Sequence, residues 1–165
     1  MRVIKNDIVQ ELFSKYYNPM LLYTISLCKN KVLAEEIVST AFFKALQTAD
    51  ETVRDFKAWL FTVCRNEYYS ICRNKKYLSR LPMDDTVFDP CDDLLDGIIR
   101  QEEYRSLYRC VSLLQEDQKE AVLLFYFSAM SISEISVITQ KSVSNVKVIL
   151  HRARENLKKL MEVTQ

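Results

Sequence analysis

Glycine occurs once and proline three times in 165 residues. Hairpin turns draw on residues that tolerate positive φ or preset a bend, so their scarcity disfavours β-sheet and favours long helices. Histidine also occurs once, and the five cysteines (Cys28, Cys64, Cys72, Cys91 and Cys110) form an odd set without a CxxC pair. This is neither a zinc-ligand pattern nor a disulfide framework, and it fits a reducing cytoplasm. No stretch approaches the ~20 uninterrupted apolar residues of a membrane span. The opening MRVIKNDIVQELF alternates charged and apolar residues, with no continuous apolar run. Neither export nor membrane insertion is expected. No nucleophile–base pair, metal-ligand spacing or glycine-rich phosphate loop is present, so no catalysis, cofactor, metal or small-molecule substrate is expected.

What the chain does have is apolar residues at helical spacing, in a composition that is 48% hydrophobic and 27% charged. From Asp7 to Lys29 they form two short helices or one broken helix, with Pro19 placed to open the second. A further helix is predicted from Val32 to Ala49. Its buried face is Leu33, Ala34, Ile37, Val38, Ala41 and Ala45, and its outward face is Glu36, Ser39, Thr40 and Phe43. A phenylalanine pointing outward among polar residues marks a contact surface. Asp55 is placed to cap a helix from Phe56 to Lys76, with a buried stripe of Phe56, Trp59, Leu60, Val63, Cys64 and Ile71. Glu67 interrupts that stripe, and nothing in the sequence supplies it with a partner.

Between Tyr77 and Ile99 the composition changes: two prolines, the glycine and six aspartates stand against Arg80 alone. Residues 81–93 read as a flexible acidic linker between two small helical domains, 1–80 and 94–165. In the second domain helices are predicted over Leu94–Leu113, Glu116–Phe127, Ser131–Thr139 and Ser142–Met161. The fold class is all-α.

A formal net charge of +1 says nothing about nucleic acid, so the distribution of charge has to. Ser131 and Glu134 stand at capping-box spacing, and Ile132, Ile135 and Ile138 form a ridge. A short Gln140-Lys141-Ser142 connection follows, and Ser142 can cap the next helix. Two helices joined so tightly make a helix-turn-helix. On the second, Val143, Val146, Ile149, Leu150, Ala153, Leu157 and Leu160 face inward, while Ser144, Asn145, Val148, His151, Arg152 and Lys159 face out, flanked by Lys147 and Arg154. Six cations from Lys141 to Lys159 stand against Glu155, a net +5 suited to phosphate. Short polar residues early in such a helix can reach base edges in the major groove.

A second basic region precedes the linker. Arg65, Arg73, Lys75, Lys76 and Arg80 outweigh Glu67 and are interleaved with Tyr68, Tyr69 and Tyr77. Cations for phosphates and rings for unstacked bases suit single-stranded DNA. Tyr69 lies on the basic face, whereas Trp59 sits within the apolar stripe and reads first as core.

In this order and spacing, the two regions resemble the extracytoplasmic-function (ECF) group of the sigma-70 family of bacterial RNA polymerase sigma factors, reduced to its second and fourth conserved regions. Ala34-Glu35-Glu36-Ile37-Val38, then Phe42, resembles the family's acidic helix that docks on the polymerase largest subunit, with Ser39 and Thr40 where Gln and Glu are usual. Ala58-Trp59-Leu60, Asn66 and Arg73 match its tryptophan-containing helix that opens and reads the minus-ten element, with Ser70 replacing Asp. Glu134-Ile135, Val146-Lys147 and His151-Arg152-Ala153-Arg154 match its minus-thirty-five helix-turn-helix. There Gln140 replaces the usual turn glycine, Asn145 a threonine and Val148 a serine.

The resemblance implies several partners and sites. Core RNA polymerase would be bound through its largest and second-largest subunits, with Glu35, Glu36, Ser39, Thr40 and Phe43 contributing. Minus-ten DNA would meet Trp59, Arg65, Asn66, Tyr69, Arg73 and Lys76, and a flipped base would be held by Asn66 and the Thr48–Arg54 loop. Minus-thirty-five DNA would meet Ser144, Asn145, Lys147, Val148, His151, Arg152 and Arg154. The linker would thread toward the polymerase active-site cleft, and an anti-sigma factor would mask the polymerase-binding surfaces. Two other classes fit parts of the sequence: a stand-alone helix-turn-helix regulator binding a palindrome as a dimer, and a helical module whose basic faces bind acidic partners.

Overall fold

Residues 6–48, 55–74 and 102–163 are described by a computed structural model of the chain. They form helices and no strand among the described residues, and the chain divides into two compact units, Met1–Val87 and Phe88–Gln165. The loop at 49–54, Lys76, the linker at 81–93 and the expected helix start at Leu94 lie outside the described residues.

The first unit is built from α1 (Asn6–Cys28), α2 (Lys31–Thr48) and α3 (Phe56–Arg73). The first helix is continuous, with Pro19 inside it rather than opening a second. Proline removes one backbone donor and crowds the preceding turn. The next seven residues, Met20–Ser26, are all buried, and this packing holds the helix through the defect. Lys29 ends it with a left-handed φ of 54° and donates its N–H to Ile25 O at 2.8 Å. Asn30 then starts α2: its Oδ1 accepts from Leu33 N at 3.0 Å. On α2 the inward residues Leu33, Ala34, Ile37, Val38, Ala41 and Ala45 are all buried, as their spacing predicts.

Helix α3 starts at the Asp55 cap, whose Oδ1 accepts from Ala58 N at 3.1 Å. Its buried face is Ala58, Leu60, Phe61 and Cys64, with Trp59, Phe56, Val63 and Ile71 only half-buried. The core stripe is therefore rotated from the one expected. Phe61 faces α1, 5.5 Å from the Tyr23 ring between centroids, and draws the helix round. The rotation carries Trp59 away from the core and leaves Glu67 at the margin, where its carboxylate pairs with Lys44 of α2.

The second unit comprises α4 (Glu102–Ser112), α5 (Glu116–Val122), α6 (Ile132–Thr139) and α7 (Val143–Val163). Helix α5 continues through Phe127 as a π-helical turn, a widening that the periodicity does not foretell. Ile135 and Ile138 of α6 are buried, as are Val146, Leu150, Ala153 and Leu157 of α7. Ile132, Ile149 and Leu160 are half-buried, and Val143 is exposed at the first helical position, where no preceding turn backs it. Asn156 Nδ2 of α7 donates to Gln118 Oε1 of α5 at 2.9 Å, which gives the carbonyl of the buried Gln118 a partner between the helices.

Candidate nucleic-acid interfaces and their family

The helix-turn-helix forms as its sequence dictates. Ser131 Oγ accepts from Glu134 N at 3.1 Å, and Glu134 Oε1 accepts from Ser131 N at 3.0 Å, the reciprocal capping box. The turn is made by Gln140 in the left-handed region, φ 58°. Both Gln140 N and Lys141 N donate to Ser136 O, and Ser136 Oγ donates to Lys141 O at 2.5 Å. Ser142 Oγ then accepts from Asn145 N at 3.1 Å and opens α7. Lys141 also pairs with Asp117 at the start of α5, at 3.7 Å, which ties the turn to the body of the unit.

This brackets the outward face of α7. Ser144, Asn145, Lys147, Val148, His151, Arg152, Arg154 and Lys159 are all exposed. Ser144, Val148, His151 and Arg152 recur at one-turn spacing and share one side, with Asn145 beside them. Arg154 differs from the rest: its Nε donates to the Tyr126 hydroxyl at 2.7 Å, and its guanidinium lies over the Phe125 and Tyr126 rings at 5.6 and 5.8 Å. The π-helical turn supplies both rings. Beside them runs an almost wholly apolar groove of about 360 Å³ lined by Leu107, Val122, Leu157 and Met161.

On α3 the structure collects Trp59, Asn66 and Arg73 at seven-residue intervals, which puts them in one row along the helix. Trp59 is half-buried and stacked on Phe56 with centroids 5.7 Å apart, not part of the core as its stripe position suggested. Asn66 and Arg73 are exposed. Along one edge of the row Arg65 lies over the Tyr69 ring at 4.7 Å, and Tyr69 is exposed. Tyr68 is turned inward: burial above all, then hydrogen bonding to Cys72, pushes its phenol pKa up. Of this set only Lys76 falls outside the described residues.

On α2 Glu36, Ser39 and Phe43 are exposed and Thr40 is half-buried, its Oγ1 donating to Glu36 O at 2.9 Å. Glu35 pairs with Lys31 at 3.8 Å and helps to raise the Tyr17 phenol pKa, after burial. A groove of about 550 Å³ runs along this face between α1 and α2. Ser39, Phe42, Phe43 and Leu46 line it from α2, and Phe13 lines it from α1. Sequence reading missed Phe13 and Leu46. The signal was available, because Ser39, Phe43 and Leu46 repeat at the spacing of one outward helix face.

Each unit thus presents a polar helix face suited to nucleic acid, aromatic in part on α3, and the second carries it on a helix-turn-helix. These features define a two-unit helical DNA-binding protein. Sigma-70 region 2 matches residues 12–77 and sigma-70 region 4 matches residues 104–157. The chain is 29% identical over 156 residues to the ECF RNA polymerase sigma factor SigM of Bacillus subtilis, covering 92% of this chain and 94% of that one. It is 27% identical over 165 residues to the RNA polymerase sigma factor YlaC of the same organism, covering 94% and 92%. Among solved structures it is similar to the sigma factor RpoE of Bartonella quintana, crystallised with the anti-sigma factor NepR. The TM-score is 0.66 at 27% identity, covering 96% of this chain and 99% of that one. The chain belongs to the ECF group of the sigma-70 family and is an alternative sigma factor.

Proposed function

We propose that residues 1–80 bind core RNA polymerase and open the minus-ten element, that residues 81–93 connect, and that residues 94–165 read the minus-thirty-five element. The observation that carries this is the outward row on α7, Ser144, Asn145, Val148, His151 and Arg152, behind a capped turn. It sits in a chain whose other unit aligns Trp59, Asn66 and Arg73 on α3. On α7, Lys147 and Arg152 neutralise phosphates while the short side chains meet base edges. On α3, Tyr69 and Trp59 stack on unpaired bases, Asn66 accepts a flipped base, and Arg65 and Arg73, with Lys76, follow the backbone. The groove beside Phe43, with Glu35, Glu36, Ser39 and Thr40 along α2, receives the polymerase largest subunit, and the second-largest subunit completes the contact.

The protein has no catalysis of its own in this reading and works with polymerase in the cytoplasm. No helix among the described residues is long and apolar enough to cross a membrane. An anti-sigma factor holds it inactive, by analogy with the Bartonella protein and its partner. A stand-alone regulator would account for the helix-turn-helix and leave the Trp59 row idle. Run-off transcription with core polymerase tests the reading. Promoter-dependent transcripts only when the chain is present support it; absence of both core binding and initiation sinks it.

A further inference from the structure

One residue on the outward face of α7 is apolar among hydrogen-bonding neighbours. Val148 is 44% exposed. Ser144 stands one turn before it and Arg152 one turn after it, both exposed. A β-branched side chain loses χ1 freedom in a helix, which an exposed position does little to offset. Folding does not account for it either, because the core of the unit is closed from the other side of α7 by Val146, Leu150, Ala153 and Leu157.

An apolar group set among hydrogen-bonding side chains has a specific counterpart in DNA. Every base edge in the major groove offers an acceptor or an amino donor, and only thymine adds an apolar group, its C5 methyl. We propose that Val148 contacts a thymine methyl in the upstream promoter element and is a specificity-determining residue of α7. The inference rests on the reading of α7 as a duplex-reading helix.

Asn145 extends the same inference. It stands three residues before Val148, so the two side chains are neighbours about 5–6 Å apart at Cβ. Base pairs stack roughly 3.4 Å apart, and the two therefore reach the same pair or adjacent ones. The cap of α7 is made by Ser142, which engages the Asn145 backbone and leaves its exposed carboxamide outside the capping contact. A carboxamide pairs bidentately with adenine N6 and N7. Asn145 and Val148 together select A·T pairs, whereas Lys147 and Arg152 contact the backbone without regard to sequence.

The test uses the full chain assembled with core RNA polymerase, and duplexes that this complex recovers from a randomised upstream library. Each thymine of a recovered duplex is replaced singly by deoxyuridine, which removes the methyl and leaves the hydrogen-bonding edge intact. At one position binding should weaken by about fourfold, the value of one buried methyl group. At that position Val148→Ala should bind the thymine and uracil duplexes equally. The proposal is overturned if no thymine methyl matters, or if Val148→Ala keeps the parent's thymine preference at every position; both results leave the reading of α7 standing. A complex that enriches no duplex overturns that reading and the proposal with it.

Discussion

The Arg154 guanidinium is held by the Tyr126 hydroxyl, 2.7 Å away on an element 28 residues earlier in the chain. Arg152, two positions before it, faces out with Ser144 and Val148. Two arginines that look equivalent in the sequence therefore stand in different surroundings. One fastens the last helix to the π-helical turn, and the other stands exposed on the outward face.

The two should separate experimentally. Arg152→Ala is expected to weaken promoter binding by the polymerase complex on all sequences alike and to reduce the salt slope by about one. Its unfolding temperature should not move. Arg154→Ala should instead lower stability by about 1 kcal/mol, the order of one hydrogen bond with its ring contact at an exposed site, and Tyr126→Phe, which keeps the ring, by less. Equal salt slopes for Arg152→Ala and the parent would show that Arg152 meets no phosphate.

On α3 the stacked Arg65–Tyr69 pair predicts a defect in opening rather than in duplex binding. Base–aromatic stacking contributes about 1–3 kcal/mol per base. Tyr69→Ala should therefore leave closed complexes intact and reduce open complexes by at least fivefold. Permanganate reactivity of unpaired promoter thymines reads this directly. Unchanged reactivity would remove Tyr69 from the strand-opening surface.

Much of this arrangement was legible in the residues. Ser131, Glu134 and Ser142 announce their caps because capping is local chemistry, and the α2 core follows from its spacing. The core face of α3 was misjudged because Phe56, Trp59 and Val63 suggest an apolar stripe of their own. Only the tertiary contact of Phe61 with Tyr23 sets the true rotation. The Arg154–Tyr126 and Lys44–Glu67 pairs bridge elements far apart in sequence, and no local pattern marks them.

The Lys44–Glu67 pair accounts for an acidic residue at the edge of an apolar stripe, yet it is partly exposed, with side chains 46% and 26% accessible. Solvent screening keeps such pairs weak. A double-mutant cycle with Lys44→Ala and Glu67→Ala should give a coupling below about 1 kcal/mol. A larger coupling would mean that the pair is effectively desolvated.

Gln140 holds a left-handed conformation, φ 58°, where the related turn usually has glycine. A side chain with a Cβ is disfavoured there by roughly 1–2 kcal/mol, and glycine's added freedom in the unfolded chain cancels part of the relief. Gln140→Gly should stabilise the second unit by about 0.5–1 kcal/mol, seen as a higher urea midpoint at unchanged slope. A lower midpoint would show that the Gln140 side chain makes a contact worth more than the backbone relief.

Burial pushes the Cys64 thiol up to about 12, with Glu67 adding to the rise and a hydrogen bond with Thr24 opposing it. Burial likewise lifts Cys28 to about 11, from an ordinary value of 9.0. A pKa raised by folding means that the folded state holds its proton more tightly than the unfolded state. The associated stability is complete below pH 9 and is lost as pH climbs through 11 and 12. The urea midpoint of the first unit should fall from pH 9 upward, and Cys64→Ala should flatten that fall while lowering the plateau through the lost packing. The same shift keeps the thiolate scarce at neutral pH. Iodoacetamide should then modify Cys64 only as fast as the unit unfolds. Rapid labelling of Cys64 in the folded chain would contradict its burial beside Thr24.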